Sequence, residues 1–87
     1  MRLDKYLKLS RLIKRRTEAK KACLAGCVKV NHRIAKAGEE VKPTDKVEID
    51  FKNKILIIEI NEIPTGNIPN CQVSSLYKII KEIKKED

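Results

Sequence analysis

The sequence predicts an α+β domain: two short N-terminal helices packed on a small, mainly antiparallel sheet, closed by a C-terminal helix. Three observations carry this expectation. Apolar residues recur at helical spacing near both ends, residues 47–51 alternate apolar and charged as a half-buried strand does, and turn-forming residues separate these segments. With 87 residues the chain has room for one domain. Hydrophobic residues make up 41% and charged residues 37%, which is the balance of a folded globular protein rather than a disordered one. So small a chain leaves little wall for a substrate-enclosing pocket, so a binding module is expected rather than an enzyme.

Leu3, Tyr6, Leu7 and Ser10 lie at i, i+3, i+4 and i+7, with Lys5 and Lys8 off that stripe, which predicts a basic amphipathic helix from Arg2 to about Ser10. Leu12 and Ile13 can bury after a turn, and the basic run Lys14-Arg15-Arg16 follows. Thr17 is the expected N-cap of a second helix over Glu18 to Ala25, with Glu18 at its positive end. Ala19, Ala22 and Cys23 give that helix a small-residue face for close packing, and Gly26 stands where a terminating glycine belongs. Val28-Lys29-Val30 reads as a strand and Asn31-His32 as a turn. A second turn spans Val41 to Lys46, where Pro43 fixes the chain and Asp45 can bond nearby amides. Val47, Ile49 and Phe51 form a half-buried strand, and Lys52-Asn53-Lys54 turns the chain into Ile55 to Ile60. Residues 61–70, with Pro64, Gly66 and Pro69, read as a loop. Val73, Leu76, Tyr77, Ile80 and Ile83 then mark a helix within 71–87, from about 72 to 85.

The charge distribution points to a polyanionic partner. Residues 1–36 hold twelve basic side chains against Asp4 and Glu18 alone, a net +10, whereas residues 37–87 carry a net −2. Such a concentrated positive field attracts phosphate backbones. The candidate RNA-binding residues are Arg2, Lys5, Lys8, Arg11, Lys14, Arg15, Arg16, Lys20 and Lys21. Among such contacts a planar guanidinium grips phosphate oxygens in two bonds where lysine offers a point charge. Asp4 is the odd acid in this field: it serves either as N-terminal helix charge or to orient a neighbouring arginine.

Other chemistries are weakly supported. The second helix carries Lys20 and Lys21 but no Arg, Asn or Gln for bidentate base contacts, which disfavours a DNA-reading helix-turn-helix. Tyr6, Phe51 and Tyr77 are spaced as core residues, leaving no stacking platform, so recognition should run on backbone shape and charge, as for structured RNA. Cys23, Cys27, Cys71 and His32 could make up a zinc set, but their spacing is not that of a knuckle or ribbon, and no metal or other cofactor is expected. Asp45, Glu48 and Asp50 read as solvated outward charges, and no catalytic residue is expected. Three cysteines without a preceding signal segment suggest a reduced, cytoplasmic setting, and the longest aliphatic run, Ile55 to Ile58, is far short of the ~20 residues that span a bilayer.

The residues also carry a family resemblance. Arg2-Leu3-Asp4-Lys5-Tyr6-Leu7, Ser10-Arg11, Lys14-Arg15-Arg16-Thr17, Ala19, Gly26-Cys27-Val28-Lys29-Val30-Asn31, and Val41-Lys42-Pro43 with Asp45 resemble the S-four RNA-binding domain over residues 1–51, in order and spacing. Two turn positions depart from the pattern: His32 and Thr44 stand where glycine is usual. Residues 52–60 would add a strand. Among stand-alone members the chain is similar to the RqcP family of ribosome-associated quality control, through Met1 to Lys8 and Ser10 to Thr17. That resemblance implies a non-enzymatic factor, expected to be a monomer. It would bind large-subunit rRNA and peptidyl-tRNA on split, stalled ribosomes and assist an RqcH-type factor in C-terminal alanine tailing. It also implies RNA contact by Arg2 and Arg16. The alternatives are a heat-shock S-four-type protein that recycles large subunits bearing nascent chains, or a non-specific DNA-binding protein. Against the heat-shock family stands the charge-mixed, short segment 78–87.

Overall fold

In the computed structural model, residues 1–63 and 75–85 are described. Helix α1 spans Leu3–Leu9 and α2 spans Arg16–Leu24. Strands β1 (Val28–Val30), β2 (Arg33–Ile34), β3 (Lys46–Asp50), β4 (Lys54–Ile60) and β5 (Tyr77–Lys84) form one sheet in the order β2-β1-β3-β4-β5. Every neighbouring pair is antiparallel. Among the described residues, no helix is long and apolar enough to cross a membrane.

The helical spacing of α1 delivers Leu3, Tyr6 and Leu7 into the core, where they meet Ala19 and Cys23 of α2 and the inward faces of the strands. Those faces follow from alternation: Val28 and Val30, then Val47 and Ile49, then Leu56, Ile58 and Ile60 are all buried. Tyr6 adds a polar tie. Its hydroxyl donates to the buried carbonyl of Leu76 at 2.9 Å, joining α1 to the residue that leads into β5, and burial, followed by the nearby Tyr77, pushes the phenol above its usual pKa.

Both helices end by passing through a left-handed residue. Gly26 (φ 78) follows α2, with the amides of Gly26 and Cys27 closing back on the carbonyls of Cys23 and Ala22, a Schellman stop. Arg11 (φ 62) holds the equivalent place after α1. The expected N-cap at Thr17 is not what forms. The helix begins at Arg16, with Arg15 in the cap position and no side-chain cap bond. A tertiary contact of Arg16, described below, fixes this end instead.

The two turns that lack their usual glycines keep the geometry those glycines would serve. Asn31 (φ 52) and His32 (φ 69) both lie in the left-handed region between the paired residues Val30 and Arg33, as a two-residue type I′ hairpin requires. Lys42-Pro43-Thr44-Asp45 has proline at its second position, Thr44 at φ 77 in its third, and a closing bond from the Asp45 amide to the Lys42 carbonyl, the pattern of a type II turn. Asp45, expected as a solvated charge, is instead buried: its carboxylate accepts from Asn31 Nδ2 at 3.2 Å and from the Lys42 amide at 3.1 Å. The returning Asn31 Oδ1 accepts from the Lys46 amide, so one side-chain pair welds both turns. Glu48 pairs across the sheet with Lys29.

The C-terminal helix is replaced by β5. Residues 64–74, which include most of the expected 61–70 loop and the start of the expected helix, lie outside the described residues, but Tyr77–Lys84 is a strand paired along β4. The misleading signal was a bulge. Ile57 faces Lys81 while Ile58 faces Ile79, so Ile80 is an extra residue. Apolar residues at 77, 80 and 83 thus imitate a helical stripe, although they divide between the sheet's two faces. Three β-branched isoleucines in eight residues favour the strand, and β4 needs a partner for its free backbone groups. Strand β2 was not anticipated because its two residues are both exposed and show no alternation.

Thr44 is exposed and β-branched in a conformation that costs such a residue about 1–2 kcal/mol, against an entropy cost of about 0.5–1 kcal/mol for glycine. Thr44→Gly is therefore expected to raise the unfolding free energy by about 0.5–1 kcal/mol. Urea denaturation followed by circular dichroism checks this, and a lower midpoint in the variant would contradict the assigned turn.

Candidate nucleic-acid interface

The centre of the basic region is a carboxylate with no exposure to solvent. Asp4 sits in the first turn of α1, between residues whose apolar side chains pack in the core, and is 0% exposed. A buried charge is unfavourable unless it is paired and hydrogen-bonded. Its Oδ1 accepts from the Lys5 amide at 2.9 Å and faces Arg2 Nε at 3.4 Å, and its Oδ2 accepts from Arg16 Nε at 3.2 Å. Of the two roles open to Asp4, orienting arginines is the one the geometry fits. Burial pushes the Asp4 carboxyl up, but the hydrogen bond and charge of Arg16, with the Lys5 amide and then Arg2, outweigh it and hold it below its ordinary 3.8.

Both arginines turn Nε inward and remain about half exposed, at 51% for Arg2 and 44% for Arg16. A guanidinium has five N–H donors, and the four on its terminal nitrogens are not used by these Nε contacts. The carboxylate thus holds two planar forks at the surface while leaving most of their donors for a ligand.

The backbone around Arg2 is equally fixed. The Leu3 amide donates to the Glu39 carbonyl at 2.8 Å, the Asp4 amide to the Ala37 carbonyl at 3.1 Å, and the Val41 amide to the Met1 carbonyl at 2.9 Å. The N-terminal ammonium pairs with Glu40 at 2.7 Å, which lowers the Glu40 pKa. The Arg2 side chain runs over Gly38, where an added Cβ would lie 3.5 Å from Nη2. Segment 37–41 therefore serves as a clamp for Arg2, a role with no signature in its own composition.

The remaining candidates are all exposed: Lys5 and Lys8 on α1, Arg11, Lys14 and Arg15 in the connection, and Lys20 and Lys21 on α2. Among the described residues none of these seven forms an ion pair. Lys20 shares a groove with Arg2, a groove that Lys8, Arg11, Lys14, Arg15 and Lys21 do not line. The same groove brings in Lys36, a residue that sequence reasoning did not single out. Its only prior signal was membership in the basic first 36 residues. Cys23 is buried, and burial, then Asp4 and Cys27, pushes its thiol up to about 11, which keeps it protonated and inert as a packing residue. Cys71, the third thiol of the zinc alternative, lies outside the described residues.

Residues 1–47 match the model of the S4 domain. A protein of Streptococcus pneumoniae named RQC P-site tRNA stabilizing factor is 44% identical over 87 residues, which is 100% of this chain and 98% of the relative. A Bacillus subtilis protein of the same name is 42% identical over 84 residues, 97% and 96% of the two chains. Among solved structures, trimeric Heat Shock Protein 15 of Vibrio cholerae superposes with a TM-score of 0.82 at 25% identity, covering 91% of this chain and 80% of that one. The chain belongs to the S4 domain family, and its full-length matches place it in the RqcP branch of that family.

Because the folded pKa of Asp4 lies below 3.8, its carboxylate contributes stability above that value and the contribution is lost as pH falls through the folded pKa. Asp4→Asn, which removes the charge but keeps the shape, is expected to cost about 1–3 kcal/mol at neutral pH. The variant should also show a shallower loss of stability below about pH 4 than the parent. Urea titrations across that range check both effects, and parallel pH profiles would show that Asp4 is not the titrating group.

Proposed function

We propose that the chain is a non-enzymatic, cytoplasmic factor of ribosome-associated quality control that binds large-subunit rRNA and peptidyl-tRNA through the face built on Arg2 and Arg16. The observation that carries this reading is the buried Asp4 carboxylate engaging both arginines at Nε while each side chain stays about half exposed. Two rigid forks suit the phosphates of a folded RNA, whose A-form helices offer shape and backbone more readily than base edges. Lys5, Lys8, Arg11, Lys14, Arg15, Lys20 and Lys21 widen the positive field and contribute individually less.

The names of the relatives support a site on a P-site tRNA during ribosome quality control. In this reading the factor steadies peptidyl-tRNA on the large subunit while an RqcH-type protein adds the alanine tail. No bond is made or broken by this chain, and one copy per subunit suffices. Beyond Arg16, whose Nε is held by Asp4, α2 exposes Lys20 and Lys21 but no further Arg and no Asn or Gln, which favours RNA over duplex DNA.

Loss of one charge-assisted contact costs about 1.5–3 kcal/mol, so Arg2→Ala or Arg16→Ala should weaken binding to large subunits carrying peptidyl-tRNA roughly tenfold or more. Lys81→Ala, on β5, should leave it unchanged. Co-sedimentation with isolated large subunits measures both. Retained binding by the two arginine variants, with loss in Lys81→Ala, would place the RNA face elsewhere.

A further inference from the structure

Beside the arginine pair, the fold leaves two bulky aliphatic side chains in water. Leu24, the last residue of α2, is 91% exposed, and Ile34, on the edge strand β2, is 66% exposed. They line one open groove of about 600 Å³ that passes the turn at Gly26, where an added Cβ would lie 3.9 Å from Ile34 Cδ1. A solitary exposed aliphatic residue is ordinary; these two share one groove with a charged rim, the combination of apolar floor and polar edge that interaction sites use. Arg2, Lys20 and Lys36 also line the groove, and no carboxylate does.

The chemistry of the groove separates two kinds of occupant. A nucleotide would use the cations, but the lining offers no aromatic ring for a base to stack on and no side-chain acceptor to read a donor edge. A peptide with bulky apolar side chains flanked by carboxylates would use both features: the apolar groups cover Leu24 and Ile34, and the carboxylates meet the cationic rim. We propose that this groove docks a short acidic amphipathic segment of a partner protein, seated on Leu24 and Ile34 and held by Lys20 and Lys36. Arg2 lies where the groove adjoins the arginine pair, so the partner would be held next to the bound RNA.

The test is fluorescence anisotropy with a fluorescein-labelled helical peptide bearing leucines at i, i+3 and i+7 and glutamates beside them. Leu24→Ser/Ile34→Ser changes only exposed side chains, and circular dichroism verifies that its fold is retained. Saturable binding to the parent is expected, weakened at least tenfold by the double substitution and equally by replacing the peptide's glutamates with glutamine. Co-sedimentation of the double variant with large subunits should stay within twofold of the parent. Absence of saturable binding, equal affinity for parent and variant, or insensitivity to the glutamate replacement would each overturn the proposal. A parallel loss of subunit binding would also overturn it, because the groove would then belong to the RNA face.

Discussion

A single carboxylate, that of Asp4, imposes the arrangement on which the rest of this surface depends. Removing an ion from water costs several kcal/mol, and the fold meets that cost with an amide and two guanidinium groups. The consequence reaches along the chain. Arg16 can satisfy Asp4 only if α2 begins where it does, which accounts for a helix start without a side-chain cap. Arg2 can do so only if residues 1–4 lie along segment 37–41, and the backbone bonds there hold them so. Lysine would not substitute at either place, since a single ammonium cannot bond inward and present a planar fork outward.

The scaffold beneath this arrangement stores strain at its turns. Four non-glycine residues, Arg11, Asn31, His32 and Thr44, adopt positive φ among the described residues. Asparagine tolerates that conformation, and its side chain is recruited to the bond with Asp45 that joins the two turns. Thr44 has no such excuse, and is held there because its amide donates to the Ile60 carbonyl while the Ile60 amide donates to that of Asp45. Strand pairing therefore overrides the residue's own preference.

Much of this was legible in the sequence. The periodicity of Leu3, Tyr6 and Leu7, the stop at Gly26 and the alternation of Val47 and Ile49 each reflect a local rule that the tertiary structure did not oppose. The clustering of charge before residue 37 likewise pointed to the exposed basic surface that carries Arg2, Arg16 and Lys20. What stayed hidden depended on partners distant in sequence. Asp4 offered two roles until Arg16, twelve residues on, was seen to reach it. Asp45 looked solvated because its partner Asn31 lies across a hairpin. Strand β5 looked helical because one bulged residue, Ile80, converted a two-residue period into a three-residue one. Segment 37–41 gave little sign of its role, since it holds residues 1–4 largely through the backbone groups of Ala37, Glu39 and Val41, with the Glu40 carboxylate on the N-terminal ammonium.

The central claim is that Asp4 acts on RNA only through the two arginines it holds. A double-mutant cycle on large-subunit affinity, combining Asp4→Asn with Arg2→Ala/Arg16→Ala, isolates that coupling. The account predicts that Asp4→Asn weakens binding in the parent and has no further effect once both arginines are gone. Equal, additive losses in the two backgrounds would contradict it, because Asp4 would then influence binding by a route independent of Arg2 and Arg16.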